Sequence, residues 1–361
     1  MKKIFLFLGL IVSLNCAYSE KVMHLFIAIN YLSDQMIADY QKICNCRLSQ
    51  TYFNDPNEML AKIAAGSEGY DVIEATSYAV EELNHMGKLQ KLDKSRIIGL
   101  NNIESKYLNP VYDRGNVYSI PYAYTPVFLA YNQDKMKELD IIPNTWAVIF
   151  DHKYLKKLNG HITVFSSSRN VFAAALLYLG KDPNSTNIND LKSARNLIDK
   201  SSPYWAKFDN DSYYRGLLRG DIWVSMAYSV DIFKAILDAK SSKSPINLGA
   251  MMQKEGNMFE MDNLVIPKTA QSTDLAYKFF NMVLKPQSAY SLAVATGSSI
   301  PNQVAFKKLS PDLKNTPWIY PTDPTKNFTF TAYDPKTRIL VNEMWTEIQM
   351  QCHDIKQSCN K

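Results

Sequence analysis

Short apolar runs alternate with amphipathic stretches along almost the whole chain. Runs typical of strands cover residues 24–29, 71–75, 161–165, 222–228 and 263–266. Between them, apolar residues recur at helical spacing: one such stretch opens at Asp55 and Pro56 and closes at Gly66, and others cover residues 168–180 and 273–285. Strands that alternate with helices in this way predict an α/β fold with mostly parallel sheets.

The first apolar run differs from the others, because it follows two lysines and spans residues 4–12. This pattern predicts a signal peptide over residues 1–19 and export to the periplasm. Ala17 and Ser19 supply the small residues that a signal peptidase reads, so cleavage is expected after Ser19. A lipoprotein signal through Cys16 is the weaker alternative. No later run of about 18 or more apolar residues follows, as a membrane-spanning helix would need.

Length and charge limit the number of lobes and the kind of partner that the sequence predicts. A chain of 361 residues with 46% hydrophobic content exceeds what one core usually serves, so two lobes are expected. The net charge of +5 is spread without a basic block. Nucleic acid is therefore not an expected partner.

Five cysteines become four if the signal peptide is removed, and an even number in an exported chain favours disulfides. The expected bridge joins Cys352 and Cys359. Cys44 and Cys46 would close a strained ring, and pairing of either with the C-terminal cysteines stays open. A zinc site in which His353 joins both cysteine pairs is the alternative.

Motifs of common hydrolases are missing from the sequence. Neither the pair of histidines four residues apart of zinc proteases nor the Gly-x-Ser-x-Gly turn occurs, and the five histidines are scattered. We therefore expect no catalytic residues, no cofactor and no metal. An enzyme is the least favoured class.

Several segments carry a family resemblance in collinear order. They are residues 70–78 (YDVIEATSY), 89–95 (LQKLDKS), 118–122 (YSIPY), 178–186 (YLGKDPNST), 220–222 (GDI), 254–256 (KEG), and Asp262 followed by Ile266 and Pro267. In these segments the chain resembles the periplasmic polyamine-binding proteins of bacterial ABC importers, above all the putrescine-binding branch.

The resemblance implies a two-lobed periplasmic binding protein fold, similar to type II, with hinge strands between the lobes and a ligand cleft at the joint. By analogy, lobe 1 is residues 20–130 plus 262–306, and lobe 2 is residues 131–261 plus 307–361. The implied crossing strands are residues 127–131 and 260–264.

An alkylammonium ligand needs carboxylates at its charged ends and apolar or aromatic walls along its methylenes. The resemblance implies Asp262 and Asp231 as the carboxylates of one amine end, Tyr228, Tyr31, Tyr78 and Tyr124 as walls, and Thr76 and Ser77 as hydroxyl groups. A purely structural role stays open for each of these residues, because tyrosine is abundant here and Asp262 could cap a turn.

Several positions depart from the family pattern, among them three polar ones. Asn30 and Asn170 stand where the family has acids, and Glu260 stands where it has an aromatic residue. A buried ammonium without a carboxylate is costly. Putrescine is therefore expected to fit poorly at the end formed by Asn30 and Asn170.

Three hypotheses follow. The first is a periplasmic solute-binding protein for a ligand with one cationic amine and a neutral far end. The second is true polyamine uptake, which requires Glu260 to turn into the cleft and replace the missing acids. The third is the same fold in sensing or adhesion without transport. For the first two, the expected partners are a small amine and the permease and ATPase of an ABC importer, and the protein is expected to be a monomer.

Overall fold

A computed structural model describes residues 20–359, except for the side chains of residues 324 and 352–359. The signal peptide predicted over residues 1–19 lies outside the described residues. The side chains of the predicted Cys352–Cys359 bridge also lie outside them. No helix within the described part is both long and apolar enough to cross a membrane.

Within residues 20–359, ten strands form one continuous, mixed sheet. They are β1 (Val22–Ala28), β2 (Arg47–Phe53), β3 (Val72–Thr76), β4 (Ser119–Asn132), β5 (Ile162–Val164), β6 (Trp205–Phe208), β7 (Val224–Tyr228), β8 (Leu248–Met251), β9 (Asn257–Val265) and β10 (Asn327–Thr329). Their order is β2-β1-β3-β9-β4-β7-β5-β6, with β10 beside β9 and β8 beside β4.

Helices fill the connections between the strands. They are α1 (Asp34–Cys44), α2 (Pro56–Ala64), α3 (Ser77–His85), α4 (Gln133–Glu138), α5 (Ala147–Phe150), α6 (His152–Leu155), α7 (Ser168–Tyr178), α8 (Ile188–Ser201), α9 (Tyr213–Arg219), α10 (Ser229–Ser241), α11 (Thr273–Val283), α12 (Pro286–Thr296), α13 (Gln303–Lys308), α14 (Pro311–Lys314) and α15 (Pro335–Cys359).

Local sequence signals explain where several helices begin. The Ser33 hydroxyl accepts a hydrogen bond from the Met36 amide at the start of α1. Asp55 caps α2 in the same way, and Pro56 occupies its first turn, where a missing N–H costs nothing. The sequence predicted α2, α7 and α11 to within a few residues of their observed bounds.

Most of the parallel pairing lies at the two ends of the sheet. β1 pairs parallel with β2 and β3, and β5 pairs parallel with β6 and β7. In the middle, β9 pairs antiparallel with β3 and β4, and β4 pairs antiparallel with β7 and β8, while the short β10 pairs parallel with β9. The central strands are therefore mainly antiparallel, unlike the expected mostly parallel sheets, because strands that run between the lobes interrupt the alternation of strand and helix there.

The long strand β4 belongs to both ends of the molecule. Ser119–Pro126 pairs with β9, whereas Val127–Asn132 pairs with β7 and β8. The expected crossing segment 127–131 is the second half of β4, and the expected segment 260–264 lies within β9. These strands supply the joint of a two-lobed fold. The lobe limits given in the sequence analysis stay a prediction.

The structure joins Cys44 to Cys46, the pairing that the sequence left open. Their Cα atoms are 5.1 Å apart, and both side chains are buried at the end of α1. Asn45 between them has a φ of +50°, a left-handed conformation that asparagine tolerates. The helix end and the bridge thus share one turn.

We predict that exported protein contains this bridge. Digestion without reduction should give a peptide with Cys44 and Cys46 whose mass lacks both thiol hydrogens. Blocking free thiols before digestion provides the control, and alkylation of both cysteines would contradict the prediction.

Candidate functional site

A cavity of about 280 Å³ lies beside the neighbouring strands β3 and β9, near the middle of the sheet. It is lined by Ala28, Ile29, Asn30, Tyr31, Phe53, Asn54, Pro56, Glu74, Thr76, Asn210, Asp211, Ser212, Tyr214, Arg215, Tyr228, Val230, Asp231, Glu260 and Asp262. Residues from β1, β3 and β9 form one side, and the segment before α9 and the start of α10 form the other. The cavity is therefore a cleft between the lobes.

Four polar side chains on two neighbouring strands form the inner surface of this cavity, which we call the acidic floor. Glu74 and Thr76 stand at positions i and i+2 of β3, and Glu260 and Asp262 stand at positions i and i+2 of β9, so the members of each pair share one face. Antiparallel pairing sets Thr76 directly opposite Asp262, so all four side chains project from one face of the sheet. Each is at most 4% exposed.

Neutral groups make the hydrogen bonds of the floor carboxylates. The Thr125 hydroxyl donates to Asp262 Oδ2 at 2.8 Å, and Asn170 Nδ2 donates to Glu260 Oε1 at 2.9 Å. The Ala28 amide reaches Glu74 Oε2 at 3.4 Å, which is a long contact.

No cation neutralises this cluster among the side chains that the structure describes. None of the described ion pairs includes Glu74, Glu260 or Asp262. The buried Arg169 acts on Glu260 only at a distance, because its guanidinium donates to Pro183, Asn184, Thr331 and Tyr333.

Burial without a cation changes the acidity of the floor. Loss of hydration first, and the charge of the nearby Glu260 in addition, raise the pKa of Glu74 to about 8, although the hydrogen bond from the Ala28 amide opposes this change. Burial likewise raises the pKa of Glu260 to about 7. Burial first, and then the charge of Glu74, hold the pKa of Asp262 well above its usual range. Near neutral pH the floor therefore retains protons, and a bound cation would favour their release.

The facing lobe supplies another carboxylate, Asp231, in the first turn of α10. Its Oδ2 accepts from the Tyr213 hydroxyl at 2.7 Å, and the Asn30 side chain also bonds to it. Burial raises the pKa of Asp231 to about 6, although both hydrogen bonds oppose this change.

Tyr228 connects the two parts of the cleft. Its ring stacks on Phe165, with centroids 4.4 Å apart. Its backbone amide donates to the Tyr213 hydroxyl at 3.0 Å, and its own hydroxyl lies 3.5 Å from Glu260 Oε1. The Tyr31 hydroxyl bonds to Thr125 at 3.1 Å, beside Asp262. Both rings can contact a methylene chain.

The structure brings seven of the residues expected from the sequence to the cavity wall: Asn30, Tyr31, Thr76, Tyr228, Asp231, Glu260 and Asp262. Four others lie behind the wall: Ser77, whose hydroxyl donates to the Phe330 carbonyl; Tyr78, whose ring meets Phe330 edge-on; Tyr124, which stacks on Tyr107; and Asn170, which bonds to Glu260. A role in ligand binding stays a prediction for all eleven.

The contacts of the acids fall into separate groups, and the expectation that Asp262 and Asp231 hold one amine end together stays a prediction. Asn30 lies beside Asp231 and Asn170 lies beside Glu260, so each asparagine contacts a different acid. Asp262 adjoins Glu74 and Thr125, away from the contacts of Asp231. The cleft thus has an acidic floor and a separate carboxylate on the opposite lobe.

Sequence reasoning missed Glu74 and the lining segment 210–215. Glu74 had a usable signal, because it is the one charged residue in the otherwise apolar or hydroxylic strand 72–76. A carboxylate in such a strand has to be buried and functional or structurally paired. The segment 210–215 is polar and carries no comparable signal.

Comparison with known proteins shows the family to which this chain belongs. The model for bacterial extracellular solute-binding proteins matches residues 35–321. The chain belongs to this family. A putrescine/cadaverine-binding protein of Pseudomonas aeruginosa is 35% identical over 353 residues, which cover 97% of this chain and 100% of that protein. A putrescine-binding periplasmic protein of Escherichia coli is 29% identical, with 92% of each chain covered.

A solved structure supports the fold of this solute-binding protein. The spermidine/putrescine transporter substrate-binding protein of Streptococcus pneumoniae superposes with a TM-score of 0.76 at 23% identity, covering 92% of this chain and 100% of that chain. The predictions of a two-lobed α/β fold and of a periplasmic solute-binding protein are confirmed. The relatives are named as binding proteins, in line with the expected absence of catalysis.

The acidic floor predicts how stability depends on pH. The folded-state pKa of Glu74 lies near 8 instead of its usual 4.5, so the folded protein binds this proton more tightly than the unfolded chain does. Its contribution to the free energy of unfolding is present below about pH 4.5 and is lost as pH rises through about 8.

We therefore expect Glu74→Gln to raise the melting temperature of the ligand-free protein at pH 8.5 more than at pH 5. Thermal denaturation at both pH values measures this. The exposed Glu68→Gln provides the control with no such difference. A variant less stable than the parent at pH 8.5 would contradict the raised pKa.

Proposed function

We propose that this solute-binding protein captures a linear ligand with two cationic ends in the cleft and presents it to an ABC permease. The observation that carries the proposal is the position of Glu260. This residue lines the cavity, between Asn170 and Tyr228, where polyamine uptake would need a replacement acid.

The floor supports one cationic end. Three buried carboxylates without a cation are unfavourable, and a desolvated cation without carboxylates is equally unfavourable. Binding of an alkylammonium-type cation between Glu74, Glu260 and Asp262 offsets both costs. Its hydrogen bonds would be charge-assisted and thus stronger than the neutral ones now present.

Asp231 supports the other cationic end. It faces the same cavity from the opposite lobe, and among the described residues its hydrogen-bond partners are the neutral Tyr213 and Asn30. Tyr31 and Tyr228 supply aromatic rings for the part of the ligand that lies between the acidic floor and Asp231. The structure therefore favours polyamine-type uptake over the hypothesis of a neutral far end, and the names of the relatives agree with this choice.

Contacts between the lobes support a hinge mechanism. Asn210 Nδ2 donates to Asp55 Oδ2 at 3.1 Å across the mouth of the cleft, and Phe233 of α10 packs on Gly297 after α12. We propose that the ligand stabilises a closed form that keeps these contacts, with the lobe limits expected from the sequence. We further propose that the protein acts as a monomer with a permease and ATPase, and that it binds without catalysing a reaction.

The first test removes one floor charge at constant volume. Asp262→Asn should weaken binding of putrescine, because breaking a buried charge pair typically costs about 2–5 kcal/mol, or roughly 30-fold or more in affinity. Isothermal titration calorimetry measures the change, with Glu68→Gln as the matched control. Equal affinity of Asp262→Asn and the parent would exclude the floor as the cation site.

The second test concerns closure. Small-angle scattering should show a smaller radius of gyration when saturating putrescine is added to the parent. Asn210→Ala should reduce the fraction that closes, since it loses the bond to Asp55. Scattering curves that do not change with ligand would contradict the hinge mechanism.

A further inference from the structure

The acidic floor offers more acceptor atoms than an ammonium has hydrogens to donate. We propose that the cation it selects is a guanidinium, so that the ligand is a linear alkylguanidine with an amine at its other end. This inference rests on the proposed function and names the chemical class of one end of the ligand. Glu74 is then the residue that sets the specificity.

Three carboxylate oxygens of the floor remain available. Asp262 Oδ2 is taken by the Thr125 hydroxyl, and Glu260 Oε1 is taken by Asn170 and Tyr228. No donor in the described part of the chain bonds to the second oxygen of either residue. Glu74 makes only the long contact from the Ala28 amide, so it contributes one fully free oxygen and one weakly bound oxygen.

One more polar atom at this end lacks a partner. Thr76 Oγ1 is buried, forms no hydrogen bond among the described residues, and belongs to a residue that lines the cavity. Asn170 Oδ1 also lacks a partner, but Asn170 lies behind the cavity wall. A buried hydroxyl without a partner is unfavourable, so Thr76 favours a ligand that brings an additional N–H group for its oxygen to accept.

An ammonium and a guanidinium differ in the number and arrangement of the N–H groups that they can donate. A primary ammonium has three N–H groups that diverge from one nitrogen, whereas an alkylguanidinium has five in a planar fork that fits carboxylates side by side. Glu74 and Asp262 stand on neighbouring strands, which are about 4.8 Å apart. A planar fork can contact acceptors on both strands at once.

The cost of removing water from the cation also favours a guanidinium over an ammonium. A guanidinium is more weakly hydrated than an ammonium, so its transfer into a cavity whose acids are at most 4% exposed costs less. The Asp231 end keeps one carboxylate, which suits an ammonium.

The test uses two ligands that share a four-carbon chain and an amine, namely putrescine and 4-aminobutylguanidine. Calorimetry on the parent should show the guanidine binding about tenfold or more tightly than putrescine. Glu74→Gln should reduce that preference, because it removes a charge and an acceptor. Asp231→Asn should weaken both ligands by a similar factor, because both place an amine there.

Thr76→Val is a second variant that tests the same end without altering a charge, and it should also reduce the preference for the guanidine. Circular dichroism checks that each variant is folded. Putrescine binding as tightly as the guanidine to the parent would overturn the guanidinium assignment and leave the proposed function intact. An unchanged preference in both floor variants would also overturn it. Failure of both ligands to bind the parent would overturn the proposed function as well.

Discussion

Three carboxylates share one buried face of the sheet, and no cationic side chain among the described residues neutralises them. Buried charges of like sign cannot all ionise, so the carboxylates must keep protons or bind a cation. The raised pKa values of the floor acids result from this unfavourable burial. A binding protein can use this property, because a cationic ligand that binds the carboxylates stabilises the folded protein.

The same strands that carry these acids also connect the lobes. β9 presents Glu260 and Asp262 while it pairs with β3 and with the first half of β4. The second half of β4 pairs with β7, which ends at Tyr228 and leads into the α10 turn that carries Asp231. A ligand that contacts both the acidic floor and Asp231 therefore contacts both lobes. This connection gives a physical route from ligand binding to lobe closure.

Asn30 and Asn170, which stand at positions where the resemblance implies acids, each bond to a carboxylate of the cleft. Glu260 accepts from Asn170, so this asparagine orients the Glu260 carboxylate. Asn30, with a φ of +68°, contributes a hydrogen bond to Asp231. Carboxylates on paired strands are held more rigidly than carboxylates on loops, which favours a defined ligand geometry.

The sequence alone determined the α/β class, several of the strands and helices, the family resemblance and seven of the nineteen residues that line the cavity, because periodicity, helix caps and collinear motifs are local properties. It even contained the decisive anomaly, a glutamate within the strand 72–76. Only the tertiary structure decided which acids meet. The pairing of β3 with β9 places Glu74 beside Asp262, although 188 positions separate the two residues (262 − 74). The register of distant strands depends on the packing of the whole sheet, which no local pattern encodes.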